Sequence, residues 1–152
     1  MSLNDLAQTY GKLVSSVCRR MIQDQELAKD AAQEVWVQIV KSYPTFKGES
    51  KLSTWIYSIT CRVCVSYARN EKHYSTRFLK TYFSGEELQI PVVDDLDKKL
   101  WIKEMCDKCL TGFLHCLDTE PRLAFLFRDV VQLPYEEIAS ILGKDGTTVR
   151  KM

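Results

Sequence analysis

The side chains in this sequence placed to do chemistry on another molecule are Thr147, Thr148, Arg150 and Lys151. They follow a helix stop and a helix cap. Gly143 is placed to end one helix, because glycine enters the left-handed conformation without penalty. Asp145 is placed to cap the next. Pro134 suits the first turn of the preceding helix, where Ile138, Ala139, Ile141 and Leu142 form an apolar stripe at helical spacing. Two helices joined in this way make a helix-turn-helix, whose second helix enters the major groove and offers hydroxyls and cations to base edges. A helical hairpin buried in a core would satisfy the same pattern.

A second candidate is a block of positive charge. Residues 41–80 carry eight basic side chains against two acidic ones, a net of +6, while residues 81–120 carry four against nine, a net of −5. The overall charge of +1 hides this asymmetry. Cations beside aromatic residues suit phosphate contact, although a solvated helix face has the same composition.

Six cysteines and two histidines complete the inventory. Cys106, Cys109 and Cys116, with His115 beside the last, have the residue types of a zinc site. On a continuous helix, however, Cys106 and Cys116 stand about 15 Å apart, so a shared ion needs a break at Thr111-Gly112. Cys106, Cys109, Phe113 and Cys116 share one helical face, which predicts buried structural thiols. The same expectation holds for Cys61 and Cys64. No metal site and no cofactor is expected. No nucleophile–base arrangement or phosphate loop marks an enzyme.

These residues need helices to position them. Leu3, Leu6, Ala7, Tyr10, Leu13, Val14, Val17, Cys18 and Met21 recur at three- and four-residue steps, a first amphipathic helix. Asp24 caps a second, with Leu27, Ala28, Ala31, Ala32, Val35, Trp36, Ile39 and Val40 as its apolar set. Tyr43-Pro44 ends it, since proline pushes its predecessor out of helical geometry. A third helix is expected over 53–70. Periodicity fades from Glu71 to Asp97 and returns around Leu100, Trp101, Met105, Cys109, Phe113 and Leu114, then from Leu123 to Val131. No stretch alternates with a period of two, which predicts an all-α fold. Two small helical domains joined by a flexible linker are expected, at 1–72, 73–97 and 98–152. No apolar run approaches the ~20 residues of a membrane span and no leader pattern opens the chain, so a cytoplasmic location without membrane insertion is expected.

Three stretches then resemble one family. Asp30-Ala31-Ala32-Gln33-Glu34-Val35-Trp36 resembles a signature of bacterial sigma factors, and Phe46-Lys47-Gly48-Glu49-Ser50-Lys51-Leu52-Ser53-Thr54-Trp55 resembles the segment that follows it. The run from Tyr135 to Arg150 resembles the family's C-terminal helix-turn-helix. Order and spacing are similar to the short extracytoplasmic-function group. The resemblance implies that Asp30, Gln33, Glu34 and Gln38 face core RNA polymerase. It implies that the segment from Phe46 to Arg69 opens and reads the promoter minus-ten element through Lys47, Ser50, Lys51, Ser53, Thr54, Tyr57, Arg62, Ser66 and Arg69. Trp55, among Leu52, Ile56 and Ile59, is expected in the core rather than against a base. Thr147, Thr148, Arg150 and Lys151 would contact the minus-thirty-five element.

The sequence departs from the family at three places. Arg62 stands where asparagine is usual, and Ser66 where aspartate or asparagine is usual. The family's last helix continues beyond the point at which this sequence stops, which implies a recognition helix cut short. Partners implied are core RNA polymerase, promoter DNA and an anti-sigma factor. A stand-alone helix-turn-helix regulator, or a metal- or redox-sensing DNA-binding protein, would account for the C-terminal part but leaves Gln33-Glu34 and the Phe46–Trp55 segment without a purpose.

Overall fold

Helix α1 (Leu3–Met21) starts at a reciprocal cap, in which Ser2 Oγ accepts from the Asp5 amide at 3.2 Å and Asp5 accepts from the Ser2 amide at 2.9 Å. Helix α2 (Gln25–Ser42) starts where Asp24 accepts from the amides of Glu26 and Leu27. Helix α2 ends before Pro44 as expected, but Tyr43 is not pushed out of helical geometry: it keeps φ −58° and ψ −40°, and the chain tightens into a 3-10 turn, Tyr43–Thr45. Helix α3 (Leu52–Ala68) follows a polar loop. The computed structural model describes residues 2–69 and 96–152, and most of the expected linker lies outside them. Helix α4 (Leu96–Leu114) runs unbroken through Thr111-Gly112. Helix α5 (Thr119–Phe125) passes into a π turn, Leu126–Val130. Helices α6 (Tyr135–Leu142) and α7 (Gly146–Lys151) form the expected pair, with Gly143 between them at φ +64°. The fold is all-α, and no strand occurs among the described residues.

Contacts divide the chain into two compact units, residues 1–71 with 119–152 and residues 72–118. In the first, α1, α2 and α3 pack around Leu6, Val17, Met21, Val35, Ile39 and Ile56, all essentially without solvent exposure. Ala28 and Ala31 keep the α2 face small where it meets its neighbours. Helix α5 and the π turn add Leu123, Leu126 and Phe127 to the same unit. Arg122 is only 2 % exposed, and its guanidinium donates to the Met21 carbonyl at 2.7 Å. That carbonyl belongs to the last turn of α1, where carbonyls lack intrahelical donors and the helix dipole favours a cation.

Several apolar expectations are corrected. Leu27 and Val40 of α2 are exposed rather than buried, as is Leu3 of α1. On α4, Leu100 and Phe113 are exposed, and so are Cys106 and Cys109, with Cys116 half-buried. These three are therefore not buried structural thiols, and shared helical spacing alone did not bury them. Cys61 and Cys64 are buried as expected. Cys64 donates to the Cys18 sulfur at 3.7 Å, which together with burial raises the Cys64 thiol well above its usual range. Burial also pushes Cys61 up to about 11, so these thiols stay neutral in the core.

Candidate nucleic-acid interface

Three surfaces carry the expected site residues. The first is the outer face of α2. Asp30 and Gln33 are exposed, and Glu34 and Gln38 are half-buried. Gln38 donates to Glu34 Oε1 at 2.6 Å, an i,i+4 pair that holds both amide and carboxylate in place. Val37 and Val40, 43 % and 50 % exposed, join Asp30 and Gln33 on this face within an arc of about 80° at 100° per residue. Sequence reading missed Val37 as a surface residue. The available signal was that apolar residues on α2 outnumber what one buried stripe accommodates.

The second surface runs from the loop after α2 along α3. Lys47, Ser50 and Lys51 are exposed on that loop, and Gly48 takes a positive φ of 72°, which opens its turn. Arg62, Ser66 and Arg69 are exposed at four- and three-residue steps, one continuous stripe. Not every expected residue joins them. Ser53 is half-buried, while Thr54 and Tyr57 are 7 % and 6 % exposed and turn inward. The Tyr57 ring meets Tyr10 edge-on at 6.2 Å and Phe127 at 5.8 Å. Burial pushes its phenol up to about 12, so the hydroxyl remains protonated. Lys51 Nζ is ion-paired with Glu137 of α6.

Trp55 is half-buried, as part of a ring cluster. Its centroid lies 4.9 Å from Phe46 and 6.4 Å from Tyr43. The cluster pins the start of the basic loop to α3. Beside it, Glu34, Gln38, Ile59, Arg62, Val63 and Ser66 line a groove of about 320 Å³. The groove joins the α2 surface to the α3 stripe.

The third surface is α7. Thr147, Thr148, Arg150 and Lys151 are all exposed, and the helix is anchored by buried Val149. Arg150 donates to Glu136 at 2.9 Å and lies 5.7 Å from the centre of the Tyr135 ring. Asp145 caps the helix, accepting from the Thr148 amide at 2.9 Å and the Thr148 hydroxyl at 2.6 Å. These bonds, led by the hydroxyl, hold the Asp145 carboxyl below its usual value. A depressed carboxyl stabilises the helix start above its unfolded pKa, and that stabilisation is lost as pH falls through the folded value. Acidification through the carboxylate range should therefore lower the protection of the Thr148 amide relative to its intrinsic exchange rate, as read by NMR, while in Asp145→Asn that protection should no longer change with pH. A protection factor that stays flat in the parent protein would contradict the cap.

Among the described residues, no three metal-ligating side chains converge, and no helix is long and apolar enough to cross a membrane.

Known proteins match the chain in the same pieces. Residues 6–74 match Sigma-70 region 2, and residues 107–152 match Sigma-70, region 4. RNA polymerase sigma factor YlaC of Bacillus subtilis is 27% identical over 154 residues, covering 99% of this chain and 87% of that protein. The ECF RNA polymerase sigma-E factor of Haemophilus influenzae is 25% identical over 155 residues, covering 98% of this chain and 80% of that protein. The solved structure of CnrH in complex with the cytosolic domain of CnrY shares the fold, with a TM-score of 0.70 at 14% identity, over 98% of this chain and 78% of that one. A stand-alone regulator would account for the second matched region and leave the first unexplained. Carrying both regions in this order and aligned nearly end to end with sigma factors, the chain belongs to the extracytoplasmic-function sigma factors of bacteria, non-enzymatic transcription-initiation proteins that recognise promoters.

Proposed function

We propose that the three surfaces divide the work of initiation. The outer face of α2 docks on core RNA polymerase, with Asp30, Gln33, Glu34 and Gln38 setting register around the exposed Leu27, Val37 and Val40. Mixed apolar and polar contact of this kind is the make-up of a specific protein interface. The loop from Phe46 and the α3 stripe open and hold the minus-ten element. Opening without ATP requires that displaced bases be held more favourably than the duplex stacks them, a few kcal/mol per base. Lys47, Lys51, Arg62 and Arg69 supply backbone contacts and Ser50 and Ser66 polar ones, while Ser53 is half-buried and Thr54 and Tyr57 are buried beneath this surface. Helix α7 touches the minus-thirty-five element through Thr147, Thr148, Arg150 and Lys151.

The observation that carries this reading is the continuity of the α2 face, the groove and the basic stripe, which lets one docking event aim the DNA-binding surface. The reading of functional modules at 1–72 and 98–152, joined by 73–97, draws support from the matched spans of 6–74 and 107–152. The protein would act in the cytoplasm, where polymerase and promoter meet. An anti-sigma factor is the further partner, a reading supported by the CnrH structure, which contains the cytosolic domain of CnrY.

Gln33→Ala combined with Glu34→Ala tests the docking face. Loss of two register-setting groups at an interface centre should weaken polymerase association roughly 10- to 100-fold with an unchanged circular dichroism spectrum. A pull-down titration with core polymerase that returns the parent affinity would refute the assignment.

A further inference from the structure

Two thiols meet in the core that α1, α2 and α3 share. Cys18, in the last turn of α1, and Cys64, on the buried face of α3, bring their sulfurs to 3.7 Å, and neither is exposed to solvent. A third thiol, Cys61, lies one turn before Cys64 on α3 and is also buried. The meeting sulfurs belong to residues 46 positions apart, and a disulfide requires them to close to about 2.05 Å. The pair is unequal. The Cys64 S–H donates to the Cys18 sulfur, which lowers the Cys18 thiol and raises that of Cys64, so Cys18 reaches the nucleophilic thiolate first. The position of Cys18 also gives a route in. Its carbonyl accepts from the Ile22 amide that closes α1, and a helix end opens at lower cost than a helix middle.

We propose that Cys18 and Cys64 are a reversible redox site, which a peroxide converts to a disulfide that ties α1 to α3 and alters the groove between α2 and α3. The control of the groove rests on the minus-ten reading given above; the thiol chemistry does not. The Cys18 thiolate attacks one peroxide oxygen, breaking the O–O bond and giving a sulfenic acid and hydroxide. The Cys64 thiolate then attacks the Cys18 sulfur, forming the S–S bond and expelling the second oxygen as hydroxide. The two sulfurs give up two electrons, the peroxide takes them, and the two thiol protons end in two waters. A dithiol reductant reverses the step by exchange. Closing the sulfurs draws α3 towards α1, and a close-packed core passes such a shift on instead of absorbing it. Arg62 and Ser66 stand two residues on either side of Cys64 and wall the groove against Glu34 and Gln38 of α2. A movement of α3 therefore carries half of the basic stripe with it and leaves the α2 face where it was.

The test uses the full chain with Cys106→Ser, Cys109→Ser and Cys116→Ser, which leaves Cys18, Cys61 and Cys64 as its thiols. Trypsin cuts after Lys12, Arg19, Lys51, Arg62 and Arg69 and so places these three on separate peptides. After hydrogen peroxide, unfolding and alkylation, mass spectrometry should find the Cys18 and Cys64 peptides joined and Cys61 alkylated, and dithiothreitol should abolish the joined species. The oxidised protein should bind a dye-labelled random-sequence single strand at least about tenfold more weakly by anisotropy, with the loss reversed by dithiothreitol and absent from Cys64→Ala. Should Cys64→Ala lose its circular dichroism spectrum, Cys18→Ala makes the same comparison. No joined peptide, or a bridge through Cys61, would overturn the site. A mapped Cys18–Cys64 bridge with unchanged strand affinity would overturn its control of the groove. If the reduced parent does not bind the strand, the minus-ten reading falls and that control falls with it, while the peptide map still decides the site.

Discussion

Replacing Arg122 with alanine is expected to destabilise the unit formed by residues 1–71 and 119–152 by about 3–5 kcal/mol. The side chain is 2 % exposed and its guanidinium donates to the Met21 carbonyl. Truncation removes several buried methylenes, leaves a cavity in their place, and strips a donor from the end of α1. For a chain of this length the change corresponds to a fall in Tm of roughly 10 °C or more. Arg122→Lys should recover only part of the loss, because an ammonium lacks the planar fork that spans such a site. Thermal unfolding followed by circular dichroism is the check, and a shift of less than about 2 °C for the alanine variant would mean that the guanidinium is not holding the helices together.

Simultaneous replacement of Lys47, Lys51 and Arg62 with alanine should weaken binding of minus-ten single strands by roughly 50-fold near 0.15 M salt. The magnitude follows from counterion release: three lost cations at about 0.7 each flatten the log–log salt slope by about 2, and the electrostatic part vanishes near 1 M. All three side chains are exposed, so the fold should be unaffected. The measurement is a salt titration of polymerase-bound protein with the labelled strand. An unchanged slope would show that these cations do not face the phosphates, whatever the affinity at one salt concentration. Lys51 is expected to contribute least in the free chain, where Glu137 already neutralises it.

Both results depend on features of different legibility. The helices and their ends were readable because they are local. Asp24 and Asp145 cap helices through amides two or three residues away, and Gly143 stops α6 through its own backbone. Such signals need nothing from the rest of the chain. The exposed stripe of Arg62, Ser66 and Arg69 was equally readable, since charge and spacing keep it in water. Side-chain direction was harder. Thr54 and Tyr57 carry polar groups suited to bases, yet they turn inward because α3 is packed on several sides and leaves only a narrow face free. The converse error came on α2 and α4, where Leu27, Val40, Leu100 and Phe113 have apolar spacing but no described neighbour sufficient to bury them. Periodicity says which residues share a face; it does not say which face is covered.

The sequence by itself determined the helical class, the order of the two sigma regions, the caps that begin and end their helices, and the exposed basic stripe of α3. Each is encoded within a few residues. Only the tertiary structure decided that Arg122 is a core residue, that Glu137 claims Lys51 and that Phe127 covers Tyr57. These pairings join positions 101, 86 and 70 residues apart. A charged side chain reads as surface until a distant carbonyl is brought to it. That meeting is set by how whole helices pack, and no local signal carries it.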